Sequence, residues 1–107
     1  MEYFSIVYRI LKSVYESMDC DEFDAESISP DVLGISIAKW EKIMLELIHN
    51  GYISGITIEP RAYTPRMKVI YTRPAVTIKG AEYLESNTMM RKVQRATKGI
   101  KDAIPGA

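Results

Sequence analysis

Up to His49, apolar residues recur at three- and four-residue steps; after Asn50-Gly51 the chain turns to β-rich segments. This change of pattern constrains the fold more than any other feature of the chain. Helices that bury one stripe need a spacing of about 3.6 residues, whereas strands favour β-branched and aromatic residues. The plan is therefore helices first, then paired strands, with 107 residues suiting one domain.

Residues 3–18 form the first helix, with Tyr3, Ile6, Val7, Ile10, Leu11, Val14 and Met18 on its apolar stripe. The acidic stretch Asp19–Glu26 reads as a solvated loop with Phe23 tucked inward. Ser29 is positioned to cap a short helix over residues 30–33, with Pro30 in its first turn, Asp31 at the positive end of the dipole and Gly34 closing it. Ser36 caps a third helix that runs to His49 and buries Ile37, Trp40, Ile43, Met44, Leu47 and Ile48. Its outward positions are Ser36, Ala38, Lys39, Glu41, Lys42, Leu45 and Glu46. The tight Gly34-Ile35-Ser36 turn makes this a helix-turn-helix.

Residues 52–58 and 67–72 predict a hairpin whose long tip holds Pro60 and Pro65. Gly55 marks a bulge, and Pro74 ends the second strand. Thr77 then caps a two-turn helix, with a break or re-cap at Ser86-Asn87-Thr88. A last amphipathic segment carries Met89, Met90, Val93, Ala96, Ile100 and Ile104. Residues 105–107 are a frayed tail, leaving 1–104 as a single domain. The expected class is α+β: a winged helix with a three-helix core, a hairpin wing and a C-terminal helix.

Three pieces of sequence carry a more specific likeness: Ile6-Val7-Tyr8-Arg9-Ile10-Leu11-Lys12, Asn50-Gly51-Tyr52-Ile53-Ser54-Gly55, and the run from Thr77 to Asn87. In this order and spacing they resemble the YjcQ family, small proteins of Gram-positive bacteria and their phages. The resemblance covers nearly the whole chain and ends with Lys98-Gly99-Ile100-Lys101-Asp102. It implies a winged-helix fold of phage or prophage origin and no established activity. It therefore assigns no functional residues. The Asp19–Glu26 segment and the hairpin tip look longer than is usual in the family.

The chain offers little for catalysis. There is no P-loop, no Gly-x-Gly-x-x-Gly and no His-Glu-x-x-His, and the lone His49 sits where it can meet helix C-terminal carbonyls. An EF-hand reading from Asp19 fails because its fifth and sixth positions are Phe23 and Asp24. Cys20 is the only cysteine, so no internal disulfide can form. The expectation is a non-enzymatic protein with no cofactor, no metal and no small-molecule substrate. Met1-Glu2-Tyr3-Phe4 lacks the basic start of a signal peptide, and no apolar run approaches the roughly 20 residues that span a bilayer. A cytoplasmic location in a bacterial host cell is expected.

The 14 cationic and 14 acidic residues cancel, which argues against a plain polycation. They are not evenly spread. Residues 1–59 hold four cationic and eleven acidic side chains, a net of −7; residues 60–107 hold ten and three, a net of +7. Such asymmetry points to an acidic partner, double-stranded DNA above all. Arg61, Arg66, Lys68 and Arg73 on the hairpin, with Tyr63 at its tip, would meet phosphates and sugars; Ser36, Lys39 and Lys42 would do so from the third helix. That helix shows no outward Arg, Asn or Gln for bidentate base contacts, and Glu41 and Glu46 would oppose phosphates unless Glu46 pairs with Lys42. The leading expectation is a regulatory DNA-binding protein. The alternative is an interaction module, with the Met89–Ile104 stripe packing on its own domain or pairing as a homodimer; a membrane-surface role ranks well below both.

Overall fold

The computed structural model describes residues 2–87. Helix α1 spans Glu2–Ser17. A 3-10 turn at Ala25–Ile28 precedes α2, Pro30–Leu33, and α3, Ile37–His49. Strands β1, Ile53–Pro60, and β2, Met67–Val76, pair antiparallel. Residues 78–87 form a helix, α4. The architecture is α+β in the expected order. The stripe of Met89, Met90, Val93, Ala96, Ile100 and Ile104 lies outside the described residues, as does the tail 105–107.

Local chemistry sets most of these boundaries. Ser29 Oγ accepts from the Val32 N–H at 3.2 Å and Ser36 Oγ from the Lys39 N–H at 3.1 Å, satisfying donors that each helix start leaves over. Gly34 ends α2 at φ 72°, a left-handed cap that costs a Cβ-free residue little. Thr77 caps α4 by accepting from the Gly80 N–H at 3.1 Å. The acidic segment is more ordered than a plain loop, because Asp24 accepts from the Glu26 N–H and starts the 3-10 turn.

One core joins these elements. Ile6, Val7, Ile10, Leu11 and Val14 of α1 meet Trp40, Ile43, Met44 and Leu47 of α3, with Ile28 and Leu33 between them. Ile53, Ile56 and Val76 of the hairpin and Leu84 of α4 complete it. Burying each such side chain contributes about 1.5–3 kcal/mol. Helix α1 packs on β2 and α3 on β1, so the hairpin is held from both sides of the chain. The Val76 N–H also donates to Met18 Sδ at 3.4 Å, joining the end of β2 to the end of α1.

The stripes run true in mid-helix and fray at the ends. Tyr3, Met18 and Ile37, expected inside, are 38%, 47% and 50% exposed, since no element among the described residues covers these helix ends fully. Phe23 does turn inward and packs on Tyr71, ring centroids 5.4 Å apart. Of the expected break or re-cap at Ser86-Asn87-Thr88, Ser86 and Asn87 are helical and Thr88 lies outside the described residues. Asn50, not His49, meets the C-terminal carbonyls of α3, with its Nδ2 donating to the Glu46 carbonyl at 2.8 Å.

The second strand does not stop at Pro74 but runs to Val76. The register explains this: Ser54 pairs with Ala75 and Ile56 with Tyr71, so Gly55 alone opposes Thr72, Arg73 and Pro74. Proline is tolerated there because a bulge does not require its missing N–H. Gly55 sits at φ 76°, and a Cβ on it would strike the Thr72 and Arg73 carbonyls. The expected bulge is present, with its extra residues on the opposite strand.

Tyr71 is half-buried beside Phe23, and burial raises its phenol pKa above the usual 10.0. The folded state thus favours the neutral phenol. Its contribution to stability is complete below the unfolded value and is lost as pH rises through the folded one. Denaturant midpoints are expected to fall above about pH 10, and Tyr71→Phe should flatten that fall. An equally steep decline in the variant would rule this residue out as the cause.

Candidate functional site

The outer side of α3 presents Ala38, Lys42, Glu46 and His49 to solvent, with Lys39 and Leu45 half-covered. Glu41, expected on this side, is instead only 6% exposed. It follows Ile37 by four residues and precedes Met44 by three and Ile48 by seven, so it lies along the apolar flank of the helix. Its Oε2 accepts from the Met67 N–H at 2.9 Å, and its Oε1 lies 3.7 Å from Arg66 Nη2. A buried carboxylate thereby fastens the start of β2 to the second turn of α3. Glu46 also leaves the expected pairing with Lys42, since its Oε2 accepts from Asn50 Nδ2 at 3.1 Å.

This contact ties the base of the hairpin tip to α3. Met67 pairs with Pro60 at the end of the ladder, so residues 61–66 form the loop just beyond the Glu41 contact. Arg61 and Tyr63 are exposed there, and Arg66 is half-exposed. Thr64 Oγ1 accepts from the Arg66 N–H at 3.1 Å and tightens the turn. Tyr63 stands at φ 64°, a left-handed conformation that a bulky residue adopts only where a turn demands it. Its ring is fully exposed.

The other two hairpin cations lie along β2, beyond the loop. Lys68 pairs across the ladder with Glu59, an opposite-charge neighbour. Arg73 lies five residues further along β2, roughly 16 Å away at strand spacing. It stands in the bulge at φ 50° and lines a groove of about 410 Å³ with Ser17, Met18, Cys20, Asp21 and Phe23. The Glu41 contacts place Arg66 beside the second turn of α3, whose first two turns also carry Lys39 and Lys42; Arg61 and Tyr63 lie in the adjoining loop, and Arg73 is further along β2. Ser36 is at the start of α3, with its Oγ already engaged as the cap.

A second groove, about 220 Å³, lies between Tyr3, Phe4 and Val7 of α1, Glu46 and Leu47 of α3, and Tyr52 and Tyr83. Its rim carries a Tyr3–Phe4 edge contact and a Tyr52–Tyr83 edge contact, with Lys79 Nζ 5.2 Å from the Tyr52 ring centre. Among the described residues no three His, Cys, Asp or Glu side chains converge to hold a metal ion. None of the helices described there is long and apolar enough to cross a membrane.

The missed residue is Glu41. Its signal was present in the Ile37, Glu41, Met44, Ile48 spacing, which places a carboxylate on an otherwise apolar row. The partner of that carboxylate lies 26 residues away, which helical periodicity alone does not show.

Fold and surface together define, over the described residues, a small α+β protein with four helices, an antiparallel hairpin and a cationic hairpin tip. The family model described as YjcQ protein matches residues 8–103, and the chain belongs to the YjcQ family. No curated protein and no solved structure matches it.

Proposed function

We propose that this protein binds double-stranded DNA as a winged-helix domain, in a non-enzymatic, regulatory role. The contact surface is the N-terminal half of α3 with the hairpin tip as its wing: Ser36, Lys39, Lys42, Arg61, Tyr63 and Arg66. The observation that supports this reading is the Glu41–Met67 hydrogen bond, which ties the base of the tip to that half of α3. The same bond turns Glu41 away from the outer face, where its charge would repel phosphate. Lys68 contributes from the flank, and Arg73 lies too far along β2 to share the surface.

The chemistry favours backbone contacts over base reading. Arg and Lys neutralise phosphates without distinguishing sequence, whereas the outward positions of α3 offer no bidentate base reader before Asn50. Binding to unrelated duplexes should therefore be of similar strength and steeply dependent on salt.

The test is fluorescence anisotropy with labelled duplexes of several sequences across a salt series. About four phosphate contacts predict a log–log slope near −4, since each contributes about −0.9. An R61A/R66A double variant is expected to make the slope shallower by about 2 and to weaken every duplex alike. Absence of binding to any duplex at low salt would overturn the proposal.

A further inference from the structure

We propose that Glu41 is a positioning residue for Arg66, holding its guanidinium ready for a phosphate group of bound duplex. This rests on the DNA-binding reading above and adds to it a residue that touches no nucleic acid itself.

The geometry supports this division of labour. The Glu41 side chain is 8% exposed and that of Arg66 39%. Oε2 is occupied by the Met67 N–H at 2.9 Å, which fixes the carboxylate against the backbone next to Arg66. Oε1 then stands 3.7 Å from Arg66 Nη2, close enough to attract the guanidinium but too far for a full hydrogen bond. Arg66 is thus held on one side by a charge that solvent screens poorly, while among the described residues its donors toward solvent stay open. The neighbouring Thr64 Oγ1 contact to the Arg66 N–H restrains the backbone of the same residue. A free arginine side chain loses rotamer freedom when it is fixed on a ligand. Here much of that ordering is in place before a ligand arrives.

Removing the Glu41 charge has an expected effect of unusual sign. By simple electrostatics, removing a negative charge near a polyanion site tightens binding. If Glu41 orients Arg66, removing its charge weakens binding instead. Glu41→Gln is the suitable change because a side-chain amide oxygen still accepts from the Met67 N–H.

The experiment measures a labelled mixed-sequence duplex at low salt against wild type, E41Q, R66A and E41Q/R66A, with thermal melts of each protein. E41Q is expected to weaken binding about three- to tenfold, part of the Arg66 ordering being lost. R66A should weaken it at least as much, and E41Q should add no further weakening in the R66A background. Weakening of equal size with and without Arg66 would show a general structural effect and overturn the inference. So would E41Q binding as tightly as wild type or tighter, or R66A leaving affinity unchanged. If E41Q does not melt cooperatively, R66K in the native Glu41 background decides: it keeps the charge but not the planar fork. A three- to tenfold loss supports an oriented guanidinium, and no loss overturns it. A wild-type protein that binds no duplex overturns the DNA-binding reading itself, a result distinct from wild-type binding with an indifferent E41Q.

Discussion

Trp40→Ala is expected to lower the unfolding free energy by about 3–5 kcal/mol, the range for deleting a buried indole. The side chain is 5% exposed in the centre of the core. Its indole N–H donates to the Ile28 carbonyl at 2.7 Å, tying α3 to the 3-10 turn. Alanine leaves both a cavity and a carbonyl without its donor, and the second effect alone costs about 1–3 kcal/mol. A domain of this size has only about 5–15 kcal/mol in all, so much of its stability would be lost. Urea titration followed by circular dichroism gives the value. Trp40→Phe separates the two effects, since it keeps an aromatic ring and removes the donor. A loss under about 1 kcal/mol for the alanine variant would contradict the role assigned to this residue.

Gly80→Ala is the second large effect, and its sign opposes helix propensity. Propensity alone predicts a gain of about 1 kcal/mol, because glycine is a poor residue in a helix. Packing predicts a loss. A Cβ at Gly80 would collide with the Tyr52 carbonyl oxygen and lie 2.7 Å from Val76 Cγ1. That carbonyl has little freedom to withdraw, since it accepts from the Thr77 N–H at 3.1 Å at the start of α4. Overpacking against fixed backbone costs about 1–3 kcal/mol or more. At roughly 4–8 °C per kcal/mol for small domains, the melting temperature should fall by several degrees at least. A rise in melting temperature would refute the close approach of α4 to Tyr52.

Both effects have their causes in tertiary contacts, and this separates what was legible in the chain from what was not. Short-range chemistry read well. Ser29, Gly34, Ser36 and Thr77 act on backbone groups within a few residues, so their roles follow from type and spacing. The Gly55 bulge was also visible, but not the three residues opposite it, because register depends on both strands. That is why Pro74 read as a strand end when it lies inside one.

The candidate surface was legible by residue type rather than by place. The cationic hairpin was plain from composition, yet Arg66 and Arg73 serve different ends of it. Glu41 read as solvent-facing because carboxylates usually are. Only the return of the chain at Met67 supplies the donor that makes its burial favourable. The family likeness read from three separated pieces is matched by the family model over residues 8–103.

The paired strands have one more consequence. Among the described residues the sheet is a ribbon of two, and in such a ribbon each strand is an edge, with backbone groups open to strand addition from another molecule. This ribbon carries obstacles along its length: Pro60 at the end of β1, Pro74 within β2, exposed Lys68 and Arg73, and a bulge that interrupts the flat register. Prolines, charges and bulges are the devices by which natural sheets resist edge-to-edge aggregation. The hairpin can thus extend its tip into solvent without becoming a template for fibril growth.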